Sequence, residues 1–270
     1  MLSAAAVTRL LEVGRAHGLD AVGVAKAEPF DSTLANLEER KSAGLHGGMR
    51  FTYRNPRRSA DPSLALPGAS SLIVGARGYL QEMPSVGAAV SARSARYVWD
   101  DNYTLLREGL EAIADVLRRD GWRTRLLVDD NALVDREAAY RAGLGWYGKN
   151  SNLLLRGRGS WFVLGSLLTD APLPPNEEFV EDGCGNCQRC IDDCPTGAIV
   201  APGVVDARRC LAWLVQDTGM FPVEYREALG DRLYGCDDCQ EVCPVNGLAE
   251  RKDPPVAAAQ ESVWFDLLAL

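Results

Sequence analysis

The stretch Cys184-Gly-Asn-Cys187-Gln-Arg-Cys190-Ile-Asp-Asp-Cys194-Pro195 holds four of the eight cysteines of this chain. A second run, Cys236-x2-Cys239-x3-Cys243-Pro244, follows it, and Cys210 stands between the two runs. The first 183 residues contain no cysteine. In a chain of 270 residues, cysteines packed this densely indicate metal binding rather than the disulfide framework of a short secreted protein.

The spacing of the first run is that of two-cluster iron–sulfur proteins, in which the fourth cysteine binds the other cluster. Three thiolates on a tight loop bind three irons of one cube, and the last cysteine starts a helix that points at the neighbouring cube. This exchange predicts one four-iron, four-sulfur cluster on Cys184, Cys187, Cys190 and Cys243, and a second on Cys194, Cys210, Cys236 and Cys239. A pair of zinc knuckles is the alternative, because C-x2-C pairs also bind zinc, but zinc sites do not need the longer run. The pattern therefore predicts an electron-transfer protein or a redox enzyme.

The composition is that of an ordinary soluble protein, with 47% hydrophobic and 24% charged residues and a formal net charge of −8. A basic surface over the whole molecule is excluded, so any nucleic-acid partner must bind a local patch. No apolar stretch approaches the roughly 20 residues of a membrane span. The first 18 residues predict an amphipathic helix rather than a secretory signal, because Arg9, Glu12 and Arg15 interrupt them. We expect a cytoplasmic protein without membrane association.

Hydrophobic periodicity predicts an α+β fold in which a mixed α/β domain (1–175) precedes a ferredoxin-like module (176–250) and a tail (251–270). The proline-rich stretch 170–182 marks the boundary. In the tail we expect one short helix, at 263–268. The other predicted elements are helices at 4–17, 32–41, 103–119 and 133–142, strands at 21–24, 71–76, 125–128, 152–155 and 161–168, and a loop at 44–62.

Candidate catalytic residues are few in the first domain. The chain has only two histidines, and no G-x-G-x-x-G motif follows a strand, so a histidine dyad and a dinucleotide site are both unsupported. Asp129 and Asp130 directly follow a predicted strand, where ligand sites of α/β proteins lie. Either could donate a proton if burial raises its pKa, or could cap the following helix. The glycine-rich segment 143–150 could bring backbone close to a large ligand or could simply form a turn.

Two arginine runs are candidate phosphate-binding surfaces, and an ordinary solvated face is the alternative for each. They are Arg50, Arg54, Arg57 and Arg58, and Arg118, Arg119, Arg123 and Arg125.

Several motifs along nearly the whole chain resemble those of the epoxyqueuosine reductases, cobalamin-dependent iron–sulfur enzymes of tRNA modification. The resemblance is carried by Arg141-Ala-Gly-Leu-Gly-Trp-Tyr-Gly-Lys-Asn150, Gly159-Ser-Trp-Phe162, Cys194-Pro-Thr-Gly-Ala-Ile199, Val205-Asp-Ala-Arg-Arg-Cys210 and Tyr234-Gly-Cys-Asp-Asp-Cys-Gln240. It implies reduction of epoxyqueuosine to queuosine at the tRNA wobble position by cobalamin, which two 4Fe-4S clusters supply with electrons. The implied partners are a tRNA anticodon loop and an external electron donor.

The same resemblance implies roles for individual residues. Asp129 aligns with the family's proton donor, and Gln216 matches a position near the substrate. The positions that match the cobalamin surface are Arg58, Tyr103, Asp129, Gly148, Lys149, Asn150, Leu153, Leu164 and Leu167.

The sequence departs from the family pattern around the substrate and cofactor face. Asp100-Asp101-Asn102-Tyr103-Thr104 stands where the family has G-x-D-Y-H, Ala132 replaces a proline, and Ser59 replaces an arginine. We find no counterpart of the C-terminal helical-repeat domain that many members carry. Two other functions therefore stay open: a related cobalamin and iron–sulfur reductase with a different substrate, and an electron carrier without catalysis of its own.

Overall fold

The computed structural model describes residues 3–86 and 90–269. Its helices are α1 (Ala4–Ala16), α2 (Asp31–Ser42), α3 (Pro56–Ser59), α4 (Pro62–Ala65), α5 (Asn102–Arg119), α6 (Asp135–Arg141), α7 (Arg189–Asp192), α8 (Leu211–Leu214), α9 (Arg226–Leu229), α10 (Asp238–Glu241), α11 (Pro244–Lys252) and α12 (Gln260–Val263). Its strands are β1 (Ala21–Lys26), β2 (Ser71–Gly78), β3 (Ser91–Ser94), β4 (Thr124–Val128), β5 (Gly145–Tyr147), β6 (Leu153–Leu155), β7 (Phe162–Thr169), β8 (Ile199–Ala201), β9 (Val204–Val205), β10 (Arg232–Tyr234) and β11 (Trp264–Asp266).

A four-stranded antiparallel sheet in the order β1-β2-β7-β4 is the centre of the first half. Both faces of β2 are buried from Ser71 to Ala76, which explains its nearly continuous apolar sequence. Helices α1 and α5 cover one face, and α6 covers the other. Gly165 allows this packing, because a Cβ there would lie 2.8 Å from Val128 Cγ2. The predicted strands of this sheet and the helices α1, α2 and α5 are confirmed, and no boundary shifts by more than two residues.

The segment predicted as the loop 44–62 contains short helices instead. Asn55 and Asp61 each accept a hydrogen bond from a backbone N–H two or three residues on, and a proline follows each of them at the first helical position. These are strong starting signals for α3 and α4. Both helices are only one turn long, so they carry too little periodicity to be detected in the sequence.

The expected helix at 263–268 is wrong, because Trp264–Asp266 is a strand paired antiparallel with Ser91–Arg93. On its other side β3 pairs with β10 of the cysteine-rich half. This small sheet joins segments from all three predicted domains, whose boundaries stay a prediction. None of the described helices has the length and apolar character needed to cross a membrane.

Candidate functional site

The cysteines of the second half lie in two neighbouring groups. Burial, and after it the nearby Cys243, Cys184 and Cys187, raise the pKa of the Cys190 thiol to about 11. Because thiolates repel one another only at short range, this coupling shows that Cys243 lies with the first run. The structure thus brings together the first predicted ligand set.

The second group forms around Cys239. Its pKa is raised well above the usual range by burial, and then by Cys236 and Cys210. Cys194 adds to the raised pKa of Cys210, after burial. Cys190 also acts on Cys239, so the two groups are adjacent, as two clusters in electronic contact require.

Among the described residues, no group of three or more His, Cys, Asp or Glu side chains is arranged to hold one metal ion. Ligands of a single metal ion converge on one point, whereas ligands of a four-iron cluster are spread over a cube. A single zinc ion needs its ligands within about 2.3 Å of one point. A four-iron cube takes one thiolate at each of four separate irons. The donor set, four thiols in each of two groups, fits the cube.

Local backbone structure positions Cys243, Cys210 and Cys194. Cys243 is the N-cap of α11, with Pro244 at the first helical position, and Cys210 is the N-cap of α8. The Cys194 sulfur accepts a hydrogen bond of 3.2 Å from the Ala198 N–H. Helix α11 is held by buried Asn246, whose side chain donates to Ser160 Oγ and to the Gln240 carbonyl. The helix that presents Cys243 is therefore anchored to the first half of the molecule.

Strands β5 and β6 form a separate two-stranded hairpin, and the loop between them contacts the cysteine-rich half. Lys149 Nζ donates to the Gly185 carbonyl at 2.7 Å, and Asn150 Nδ2 donates to the Cys239 carbonyl at 3.1 Å. A Cβ on Gly148 would lie 2.7 Å from Asn150 Oδ1, so a larger residue would displace the side chain that donates to the Cys239 carbonyl. Trp146 Nε1 and Ser151 Oγ are buried without a hydrogen-bond partner among the described residues. Each of these atoms can hydrogen-bond to a polar ligand or a water bound at this loop.

Asp129 follows β4, as predicted, but its surroundings differ from those expected. Its φ of 53° lies in the left-handed region, and its side chain is exposed rather than buried. It does not cap α6, because Val134 is the N-cap and makes no side-chain cap bond. Asp130 Oδ1 accepts a hydrogen bond of 2.9 Å from Ala132 N–H. The chain turns there before α6 begins at Asp135, two residues later than predicted.

The buried carboxylate of this region is Asp135, which the sequence analysis missed. Its Oδ1 is shielded from solvent and has no hydrogen-bond partner in the part of the chain that the structure describes, although the residue as a whole keeps some exposure. Burial raises its pKa well above the usual range, Arg136 opposes this, and Asp129 and Asp130 add to it. No spacing signal in the sequence distinguishes Asp135 from a helix-starting aspartate.

Tyrosines surround the same region. Burial, followed by the charges of Asp129 and Asp135, raises the pKa of Tyr103 to about 12. The Tyr97 and Tyr234 rings lie 6.3 Å apart. Tyr234 donates a hydrogen bond of 3.2 Å to Oε1 of Gln216. Tyr103, Asp129 and Gln216 therefore lie around one region, to which the structure adds Tyr97 and Tyr234.

Arg136 is the charged side chain of this region that sequence reasoning missed. It is exposed and makes no hydrogen bond or ion pair within the described ranges. It acts electrostatically on Tyr103, Asp135 and Cys210. An unpaired guanidinium between a carboxylate pair and a cysteine group is suited to an anionic ligand.

The apolar positions expected to line the cofactor do not share one surface. Leu167 is fully buried in the core between the sheet and helices α1 and α5, so this expectation is wrong for it. Leu164 lies in the cluster on the opposite face of the sheet, because alternate residues of β7 point to opposite faces. Leu153 of β6 belongs to that same cluster. Arg58 lies exposed on α3.

Comparison with known proteins gives this arrangement a context. Residues 183–246 match the 4Fe-4S double cluster binding domain. An epoxyqueuosine reductase of Xanthomonas campestris is 34% identical over 259 residues, covering 93% of this chain and 72% of that protein. The Bacillus cereus epoxyqueuosine reductase is 37% identical over 238 residues, covering 85% of this chain and 61% of that protein.

Solved structures agree with the sequence relatives. The epoxyqueuosine reductase of Streptococcus thermophilus superimposes with a TM-score of 0.88 at 30% identity, covering 97% of this chain and 71% of that one. An epoxyqueuosine reductase bound to an epoxyqueuosine-modified tRNA-Tyr stem loop gives 0.87 at 34% identity, with 98% and 70% covered. A catabolic reductive dehalogenase, at 18% identity and a TM-score of 0.56, shares the fold alone.

An α/β sheet unit joined to a double-cluster domain defines a class of iron–sulfur oxidoreductase-like proteins. Within that class, the chain belongs to the epoxyqueuosine reductase family. It spans 61% of the Bacillus cereus relative and 64% of the Vibrio cholerae relative.

Proposed function

We propose that this chain reduces epoxyqueuosine to queuosine in tRNA, with cobalamin and two 4Fe-4S clusters as cofactors. The proposal is carried by the adjacency of two four-thiol groups to the loop of the β5–β6 hairpin, in which Asn150 donates to the Cys239 carbonyl. Relatives named epoxyqueuosine reductase match both the sheet unit and the cysteine-rich half. That breadth of similarity favours an enzyme over a bare electron carrier.

The residues of this chain would hold the cofactors as follows. Cys184, Cys187, Cys190 and Cys243 would ligate one cluster, and Cys194, Cys210, Cys236 and Cys239 the other. Gly148, Lys149 and Asn150 would form the loop against which cobalamin rests, with Leu153 and Leu164 beneath it and Tyr103 and Arg58 at its rim. When bound, these groups supply low-potential electrons at cobalt, delivered one at a time by the clusters.

Removal of the epoxide oxygen takes two electrons and two protons and releases water. Asp129 is the proposed proton donor, because its exposed carboxyl lies at the end of β4, next to buried Asp135. Asp135 holds its proton to higher pH than an ordinary carboxyl, so it can act as a reserve for Asp129. Tyr103 and Gln216 would contact the substrate base and sugar.

The Asp129 loop is proposed to move during the cycle. In a Bacillus subtilis epoxyqueuosine reductase structure, the catalytic aspartate loop is swung out of the active site. Here Asp129 has a left-handed backbone conformation, which aspartate adopts more readily than most residues, and its side chain is exposed on the loop.

The test is turnover of epoxyqueuosine-containing tRNA by anaerobically reconstituted, reduced protein with added cobalamin, followed by nucleoside analysis. Appearance of queuosine is the expected result. If absorption spectra and iron analysis show that cobalamin and both clusters are bound and no queuosine appears, the scaffold acts on another substrate.

A further inference from the structure

The two arginine runs differ in whether their guanidinium groups have partners within the fold. In the second run, Arg118 pairs with Glu111 and Asp115, and Arg123 pairs with Asp170. Arg125 donates to the Ala65 carbonyl and Arg119 to the Asp115 carbonyl. The guanidinium groups of the second run are therefore already paired with other residues of the fold.

The first run is free. Arg50, Arg54, Arg57 and Arg58 are all exposed, and their guanidinium groups make no hydrogen bond or ion pair within the described ranges. Residues 43–60 contain no acidic residue that could neutralise them, although the whole chain carries a net charge of −8. Asp61, the next acid along the chain, accepts hydrogen bonds from the Ser63 N–H and hydroxyl instead. Four unpaired positive charges on one short segment make a strong local attraction for a polyanion.

This arginine segment, residues 50–58, is held beside the proposed active site from two directions. Ser59 Oγ donates a hydrogen bond of 2.6 Å to the Asn131 carbonyl, and Val134 N–H donates to the Ser59 carbonyl at 2.9 Å. Just before the segment, Trp213 Nε1 donates to the Gly47 carbonyl at 2.9 Å. The arginines therefore lie between the Asp129 loop and the helix that begins at Cys210.

An exposed aromatic ring accompanies these charges. Phe51 keeps 44% of its surface in solvent, beside Arg50 in the sequence. Arginines that contact phosphates, combined with an aromatic ring that stacks on bases, are the combination that binds single-stranded nucleic acid. A small phosphate ligand would use the charges but would leave the ring without a role.

We propose that the arginine segment 50–58 binds the RNA backbone around the modified base, with Phe51 as a stacking platform. This inference rests on the proposed function and adds the surface through which this chain itself grips its RNA. Arg50, Arg54 and Arg57 would each neutralise one phosphate, whereas Arg58 stays assigned to the cofactor rim, so binding should depend steeply on salt.

The experiment measures the Kd of an unmodified anticodon stem loop for the fully reconstituted protein at several salt concentrations. The test variant is Arg54→Gln/Arg57→Gln, which leaves the proposed cofactor ligand Arg58 intact. The matched control is Arg9→Gln/Arg15→Gln, which removes two exposed arginines from α1 with the same change of net charge. On a single strand each neutralised phosphate contributes about 0.7 to the slope of log K against log salt. Loss of two arginines should therefore reduce the magnitude of the slope by about 1.4 in the test variant, and the slope of the control should stay unchanged. Phe51→Ala should weaken binding at least about fivefold with the slope preserved.

Equal slopes for the wild type and the test variant, with iron content and Tm retained, would overturn the proposal. Displacement of the stem loop by inorganic phosphate at constant ionic strength would also overturn it. That result would mean that the arginines bind a small anion rather than the RNA backbone. Failure of the enzymatic proposal is separate: it is the absence of queuosine in the turnover assay, whatever the RNA affinity.

Discussion

At the residue scale, the expected proton donor was one carboxylate whose pKa is raised by burial. In the structure, Asp129 and Asp135 each have one part of that description. Asp129 is accessible, whereas the Asp135 carboxyl has an oxygen shielded from solvent and a pKa that burial raises well above the usual range. Accessibility lets a group reach the substrate, and burial raises the pKa of a carboxyl. The pair therefore offers both properties within seven residues of chain.

Asp129→Asn should lower turnover by about 10²- to 10⁴-fold, the usual contribution of a positioned proton donor. Asparagine tolerates the left-handed backbone found at this position, so the loop conformation should survive. Absorption spectra should show both kinds of cofactor still bound. Asp120→Asn, at an exposed site after α5, is the control. Unchanged turnover in the Asp129 variant would remove its role as donor.

Asp135→Asn should change how stability depends on pH. The native pKa of Asp135 is raised above its unfolded value, so the native state retains a proton that the unfolded chain releases. The stability from this proton is fully present below the unfolded pKa and is lost as pH rises through the native pKa. The variant lacks this loss, so its Tm should exceed that of the wild type increasingly from acidic to alkaline pH. Parallel Tm curves for the two proteins would show that Asp135 is not protonated in the native state.

At the element scale, Ser59 on α3 holds the loop that carries Asp129. Its hydroxyl and carbonyl bond to Asn131 and Val134, on the two sides of Ala132. A proline is expected in the family at position 132 and would stiffen the loop by fixing φ. In this chain, hydrogen bonds from a neighbouring helix hold the loop instead.

Ser59→Ala should loosen that loop, because the Asn131 carbonyl loses a hydrogen bond worth about 1 kcal/mol. We expect faster hydrogen exchange across residues 129–134 and a lower kcat with little change in the KM for tRNA. Ser166→Ala removes an equally buried hydroxyl that has no partner, and serves as the control. Equal effects of the two substitutions on kcat would mean that Ser59 matters only for packing.

The crossed ligand assignment of the two cysteine runs also belongs to this scale, because each run gives one ligand to the other group. Cys243→Ser should disturb the cluster of Cys184, Cys187 and Cys190, whereas Cys194→Ser should disturb the cluster at Cys210. Each variant should lose up to about half of the iron, with different electron paramagnetic resonance signals remaining. Identical remaining signals would contradict the crossed assignment.

At the scale of the whole molecule, the β10-β3-β11 sheet ties the cysteine-rich half to the sheet unit and to the last residues. Val263 is fully buried with Trp99 and Ala258 beneath this sheet. Strand β10 ends at Tyr234, two residues before Cys236. Disturbing the sheet should therefore affect both folding and cluster retention.

Val263→Asp should cost at least about 2 kcal/mol, because it buries a charge without a partner. Thermal unfolding should show a lower Tm, and iron should be lost more readily on dilution. Leu268→Asp, at a position that is 82% exposed, should change stability by less than about 0.5 kcal/mol. A Tm for Val263→Asp that matches this control would mean that the last strand is not part of the cooperative unit.

Much of this protein follows from its sequence alone, wherever the signal is local. Cysteine spacing predicts two ligand groups because neighbouring thiolates must reach irons of one cube, and long apolar runs predict the central strands. What only the tertiary structure decided depends on segments that are far apart in the chain. It buries Asp135 and exposes Asp129, pairs the arginines at 118–125 and leaves those at 50–58 free, and turns 264–266 into a strand by giving it a partner at 91–93. Burial and pairing are set by what packs against a residue, and a single stretch of sequence does not contain its own neighbours.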